Sequence, residues 1–463
     1  MNKLKSETEA GNGKEDVTDE QVLGQQAPDW GNDPHAASAS PAEVGLSVSQ
    51  TALSRRRFLG AGSATLAAAM LVAGPLDAQV PPVAEVAAAE KDASASDPGP
   101  KNGPLSAQNP DSVTPPPTDH GDVPTFWYSF ALAHRRTQEG GWARQVNVKD
   151  LPIAKEIAGV DMRLTAGGVR ELHWHQAGEW AIMLSGNARL TVLDAEGRGY
   201  VNDIVQNDLW YFPAGIPHSI QGLEPDGCEF LLVFDDGTFS EYGTSLLCDW
   251  VAHLPKEVLA KNFGLPESAL ADLPKAERYI FQASLPGPLA ADKQAAAAGG
   301  QPSPTAFSFP LHTMSPTYKT RGGEVRIIDS RNFPISTTIA AAHVVVHPGA
   351  MRELHWHPNA DEWQYYIQGS GRMTVFANSG DARTMDFNAG DIGYVQKTLG
   401  HYIENTGSTD LIFLETFKSD HYQDLSLSEW LKHTPPALVQ QHLDLSSGAL
   451  AAIPTAEKFV VPG

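Results

Sequence analysis

The sequence predicts an all-β protein of two barrels or jelly rolls in tandem, with short flanking helices, and three observations carry that reading. The hexapeptide Arg170-Glu171-Leu172-His173-Trp174-His175 returns as Arg352-Glu353-Leu354-His355-Trp356-His357, 182 residues later. Trp180, Gly186, Asp208, Tyr211 and His218 return at an offset of 183 as Trp363, Gly369, Asp391, Tyr394 and His401. Self-similarity held over that length means two copies of one domain. Each copy is also a series of short apolar runs split by turn residues, and 41 glycines with 34 prolines suit turn-linked strands better than a helical bundle.

From the N-terminus, residues 1–78 read as an export-signal region. Ser54-Arg55-Arg56-Arg57-Phe58-Leu59-Gly60 precedes a small apolar run at 61–73, the pattern of a twin-arginine signal, with small residues at 73–78 as a cleavage site. The run is too short for a permanent membrane anchor, so the protein is expected to be exported, periplasmic or extracellular. A route that carries folded proteins lets a metal be loaded in the cytoplasm, away from the copper and zinc favoured by affinity outside. Residues 79–120, rich in Ala, Pro and Asp, are expected to be a disordered linker.

The first barrel is assigned to residues 121–300 and the second to 301–463. In the first, apolar runs at 180–184 and 188–193 flank Ser185-Gly186-Asn187 and read as a hairpin with a glycine turn; 364–367 and 372–376 around Gly369 read likewise. Further strands are expected at 209–212, 228–234, 393–395 and 411–414, and helices at 250–260, 266–273 and 427–432. The Ala, Gly and Pro of 285–304 read as the linker between barrels.

Net charge sets a boundary on partners. At −22 the surface repels nucleic acid and anionic membranes, and a small anionic substrate needs a metal or a buried Arg to draw it in. Cys228 and Cys248 are too few for a disulfide scaffold; they read as two buried small side chains, with a disulfide as the alternative in an exported chain.

His173 and His175, two apart on a strand, point to one face. Glu179 follows a bend at 176–178, and His218 can return on a facing strand; the second copy supplies His355, His357, Glu362 and His401. Three neutral imidazoles and one carboxylate around a divalent ion give a net charge of +1 and leave an octahedral ion two open positions. Ligand chemistry alone admits Mn²⁺, Fe²⁺, Ni²⁺ or Zn²⁺. Arg170 and Arg352 stand three residues before the first His, an odd step that faces them away unless the chain bends, as Gly167-Gly168 and Gly349 would allow.

Over about residues 126–430 the chain resembles the bicupin oxalate decarboxylases. Beyond the histidines, Phe126-Trp127-Tyr128-Ser129-Phe130, His134-Arg135-Arg136, Pro213-Ala214-Gly215-Ile216-Pro217-His218 and Phe234-Asp235-Asp236-Gly237 carry the likeness. It implies two cupin barrels (double-stranded β-helices), each with one Mn²⁺, acting on oxalate with O₂ as co-catalyst to give formate and CO₂ without net redox change. Zn²⁺, which cannot change oxidation state, drops out as the active ion.

By this resemblance His173, His175, Glu179 and His218 hold the first ion, and His355, His357, Glu362 and His401 the second. Arg170 and Arg352 orient oxalate, Glu241 is the lid acid of the first barrel, Glu415 is the proton-handling glutamate of the second, and Tyr422 is the catalytic-site tyrosine near it. The lid departs from the family's usual Ser-Glu-Asn-Ser-Thr, reading Ser240-Glu241-Tyr242-Gly243-Thr244. That departure keeps an oxalate oxidase, releasing H₂O₂, as the alternative; a metal-dependent dioxygenase or isomerase and a non-catalytic storage bicupin stand further off. Because the lid glutamate follows the first copy, turnover is expected there, with an acidic optimum. A homo-oligomer is expected, with oxalate as the small-molecule substrate.

Overall fold

A computed structural model describes residues 102–297, 300–454 and 457–463. The export-signal reading of 1–78 therefore lies outside the described residues. No helix among the described residues is long and apolar enough to cross a membrane.

Each copy folds as antiparallel strands closed around a core. In the first, the strand Glu179–Leu193 runs unbroken through the expected hairpin turn. Its first half pairs with Cys228–Phe234 and Leu209–Phe212, its second with Gly199–Val205 and His218–Gly222. The two halves never pair with each other, so the hairpin reading is corrected to a corner at which one strand passes between sheets. Gly186 makes the corner at φ 75°, where a Cβ would sit 2.0 Å from the Gly227 carbonyl oxygen. In the second copy Gly369, at φ 84°, separates Glu362–Gln368 from Ser370–Ala377, and these too belong to different sheets.

Both barrels bury the inner faces of their strands, and a third apolar layer forms between them. Trp180, Ile182, Tyr211, Leu231 and Val233 pack there with Ile328, Ala341, Trp363, Tyr365 and Leu414. Strands such as Cys228–Phe234 are thus buried on both faces, which is why they read as near-continuous apolar runs.

The barrels also exchange edge strands. Trp127–Ser129 pairs with Asp391–Val395 of the second copy, and Ser308–Phe309 with Leu209–Phe212 of the first. The last part of the predicted disordered linker is ordered on the second barrel. Gly103–Gln108 is helical, the Asp111 N–H donates to Asp386 at 3.0 Å, and Thr384 donates to Asp119.

Helices fall at Leu247–Ala252, Lys256–Phe263, Leu427–His433, Pro436–Leu443 and Ser447–Ala452, the last two beyond the predicted set. The inter-barrel linker is corrected as well: Leu289–Ala296 is a helix, tied down where Asp292 meets Arg189 at 2.5 Å. Both cysteine thiols are free, Cys228 buried and Cys248 half-buried, so the disulfide alternative is not formed.

Candidate metal centres

In the strand Gly168–Trp174, Arg170 stands opposite Ile220 and His173 opposite His218. Two residues, Glu171 and Leu172, therefore stand opposite one, Ser219, which is a β-bulge. The extra residue rotates Arg170 onto the face of His173 and so resolves the odd spacing. The second copy repeats it, with Arg352 opposite Ile403 and His355 opposite His401. The irregularity thus lies between the arginine and the histidine, not at the preceding glycines as the sequence suggested.

The eight predicted ligands come together as two quartets, His173, His175, Glu179 and His218, and His355, His357, Glu362 and His401. Within each, the ligand atoms lie within 4.8 Å of one another, and all eight side chains are buried. Backbone carbonyls orient the rings. Nδ1 of His173 meets Glu171 O at 2.6 Å, that of His175 Ala177 O at 2.6 Å, and that of His218 Ile216 O at 2.8 Å. His355, His357 and His401 are held likewise by Glu353, Gln423 and Leu399. An Nδ1–H spent on a carbonyl leaves the Nε2 lone pair for an ion.

Carboxylates complete each cage. Glu179 accepts from Trp210 Nε1 at 3.0 Å through one oxygen and turns the other to His175 Nε2 at 3.1 Å. Glu362 accepts from Gln364 at 2.7 Å and faces His401 and His357 at 2.8 and 3.1 Å. Burial holds the His173, His218 and His355 imidazoles below their ordinary range, hence neutral. Burial alone would raise the Glu179 carboxyl, but the His175 and His218 imidazoles facing it hold it below the carboxylate range. Nε2 of His218, His355, His357 and His401 is buried without a hydrogen-bond partner among the described residues. Buried, oriented lone pairs facing a carboxylate fit a divalent cation and fit little else.

Around the first cage, the Arg170 guanidinium lies over the Tyr279 ring at 4.3 Å and Nη1 donates to Tyr279 O at 3.2 Å. Glu241 is buried in a short 3-10 turn, Glu241–Gly243, with its backbone N–H on Gln145 and one carboxylate oxygen accepting from the Tyr279 hydroxyl. Burial pushes the Glu241 carboxyl up. Tyr242 is 72% exposed, its ring 4.9 Å from the Arg136 guanidinium.

Around the second cage, Arg352 gives Nε to Glu415 at 3.2 Å and Nη2 to the Tyr422 hydroxyl at 2.9 Å. Tyr422 in turn donates to Glu415 at 3.1 Å. Burial raises the Glu415 carboxyl. All five predicted catalytic residues thus stand beside a quartet or in contact with a neighbour that does.

Three groups escaped the sequence reading. Glu171 and Glu353 each accept backbone N–H groups from a distant segment, Arg278 and Tyr279 in one copy, Lys458 and Phe459 in the other. Tyr279 lies outside the predicted elements, although Tyr279-Ile280 returns as Phe459-Val460 at an offset of 180, close to the repeat spacing, and would have flagged it. Asp424 pairs with Arg352, and no motif announced it.

Two tandem barrels, each closing a buried His₃Glu cage, define a bicupin metalloprotein. The Cupin family pattern matches residues 130–269 and 309–449, once per barrel. Oxalate decarboxylase OxdC of Bacillus subtilis is 54% identical over 346 residues, covering 75% of this chain and 89% of that protein. A probable oxalate decarboxylase of Arthroderma benhamiae is 39% identical over 368 residues, covering 78% and 90%. A structure of the B. subtilis enzyme, solved in work on its Mn(II) centres, superposes with a TM-score of 0.77 at 50% identity, covering 79% of this chain and 96% of that one. The chain belongs to the bicupin oxalate decarboxylase family.

Proposed function

We propose that this protein splits oxalate into formate and CO₂ with no net redox change, holding one Mn²⁺ in each His₃Glu cage. One observation carries the reading. A β-bulge turns Arg170 to the face of the first quartet, and the buried acid Glu241 stands against the same arginine through Tyr279. A cationic fork, a cation cage and a proton donor are what an oxalate monoanion requires at one point.

Bound manganese, with O₂, supplies the one-electron chemistry that weakens the bond between two electron-poor carbons. The chain's own residues do the rest. Arg170 grips the far carboxylate through paired N–H donors. The lid turn over Glu241 keeps water from the reacting carbons. Glu241, its carboxyl raised by burial, stays protonated long enough to deliver a proton to the carbon left when CO₂ departs. Tyr279 aims it by hydrogen bonding to the other oxygen.

Formate and H₂O₂ measured together on Mn-loaded protein test the reading. Formate is expected to equal oxalate consumed, with peroxide a minor product. The rate is expected to fall as pH rises through the raised Glu241 carboxyl, since the acid form is the donor and predominates only below it. Peroxide in place of formate would favour the oxidase reading that the Tyr242-Gly243 lid leaves open. The two intact quartets speak against a storage protein.

Export and assembly belong to the same proposal. Residues 54–60 support twin-arginine export, and Arg55→Lys with Arg56→Lys is expected to hold the protein in the cytoplasm on cell fractionation. A homo-oligomer is supported by apolar side chains exposed on the helical segments of both copies, Trp250 and Phe263 in one, Trp430 and Leu443 in the other.

A further inference from the structure

The two cages match in almost every part: the bulge, the three oriented imidazoles, the carboxylate, and a backbone carbonyl (Tyr279 O or Phe459 O) accepting from the arginine Nη1. They differ in what else holds the arginine. Arg352 has all three guanidinium nitrogens engaged: Nε on Glu415, Nη1 on Phe459 O, and Nη2 on Tyr422 and Asp424. It is 0% exposed. Among the described residues Arg170 makes a single hydrogen bond, through Nη1, and no ion pair with a carboxylate, and it is 4% exposed.

We infer that Asp424 closes the second cage to dicarboxylates by occupying the guanidinium edge that would hold one, leaving oxalate to the first site. The inference rests on the function proposed above and assigns the difference between the two copies to one residue. A carboxylate is gripped by two parallel N–H groups along one edge of the fork. On Arg352 that edge carries Glu415, Tyr422 and Asp424. Oxalate would have to displace Asp424, stranding a carboxylate that is 4% exposed and has no second ion pair among the described residues. It would also enter beside Glu415, a second acid in contact with the same arginine.

Register identifies the exchange. Asp424 immediately precedes the short strand Leu425–Ser426, which pairs with the His355 strand. At the matching place in the first copy, Thr244 precedes Ser245–Leu246, which pairs with the His173 strand. The Thr244 hydroxyl is buried without a partner among the described residues. An uncharged hydroxyl at this position leaves Arg170 free, and an acid consumes Arg352.

Equilibrium dialysis of labelled oxalate against Mn-loaded protein, without O₂ so that turnover stops, tests the assignment, with Mn counted in parallel. The parent is expected to bind one oxalate per chain and Asp424→Thr two, each with two Mn per chain. Asp424→Asn, nearly the same shape, serves should the threonine variant fail to fold. Arg170→Ala is expected to abolish binding in the parent and to leave one oxalate in the Asp424→Thr background. Two oxalates on the parent, or one on both Asp424 variants with Mn intact, would overturn the role of Asp424 alone. A parent that binds none would overturn this inference and the proposed function together.

Discussion

Replacing Glu241 with Ala is expected to lower formate production by a factor of roughly 10²–10⁴, the range lost when a positioned proton donor is removed. Mn content should stay at two ions per chain. The argument rests on separation: Glu241 belongs to neither quartet, and its contacts are Gln145 through the backbone and Tyr279 through the side chain. Loss of the carboxyl leaves the cage, Arg170 and the oxalate grip in place, so KM should change little while kcat falls. With no donor for the carbon left by CO₂, peroxide should rise as formate falls. Formate yield unchanged in this variant would move the engine of the reaction elsewhere, with Glu415 and the second cage the remaining candidate.

Replacing His401 with Ala is expected to cut Mn from two ions per chain to one and to lower the unfolding midpoint by about 5–10 °C, the shift that follows from losing an ion held at ~100 times its dissociation constant. His401 is buried and is the nearer of the two imidazoles that face the Glu362 carboxylate. Without the ion, Glu362 would remain a buried charge answered by His357 and the Gln364 amide, and such a charge is costly. If this cage has the role assigned to it, formate turnover per first-site Mn should survive at low temperature. Elemental analysis and calorimetry on the same preparation check both halves; an unchanged midpoint would mean that the second barrel stands without its metal.

Much of the site could be read without a structure because its logic is local or repeated. His-x-His obeys the strand period directly, and duplication turned a weak motif into a strong one. The arginine facing was not legible, since a bulge depends on the partner strand and leaves no mark in the residues it rotates. Gly186 and Gly369 were misread for a related reason: a glycine at positive φ serves a tight turn and a strand corner equally. Asp424 and Tyr279 reach their arginines from 72 and 109 residues away. No spacing rule covers such contacts. The order of residues 103–120 likewise comes from Asp386 and Thr384 of the far barrel, not from the Pro-rich segment itself.

The reciprocal edge strands bear on how such a duplicated chain behaves as a physical object. Trp127–Ser129 completes the sheet of the later copy and Ser308–Phe309 that of the earlier one. A protein severed between its halves would thus yield fragments that each carry a ribbon owed to the other and lack one of their own. Neither half can melt without exposing its neighbour's flank, so disturbance in one cage should be felt as loosening around the second. Duplication here has produced not two beads on a string but a single buttoned body.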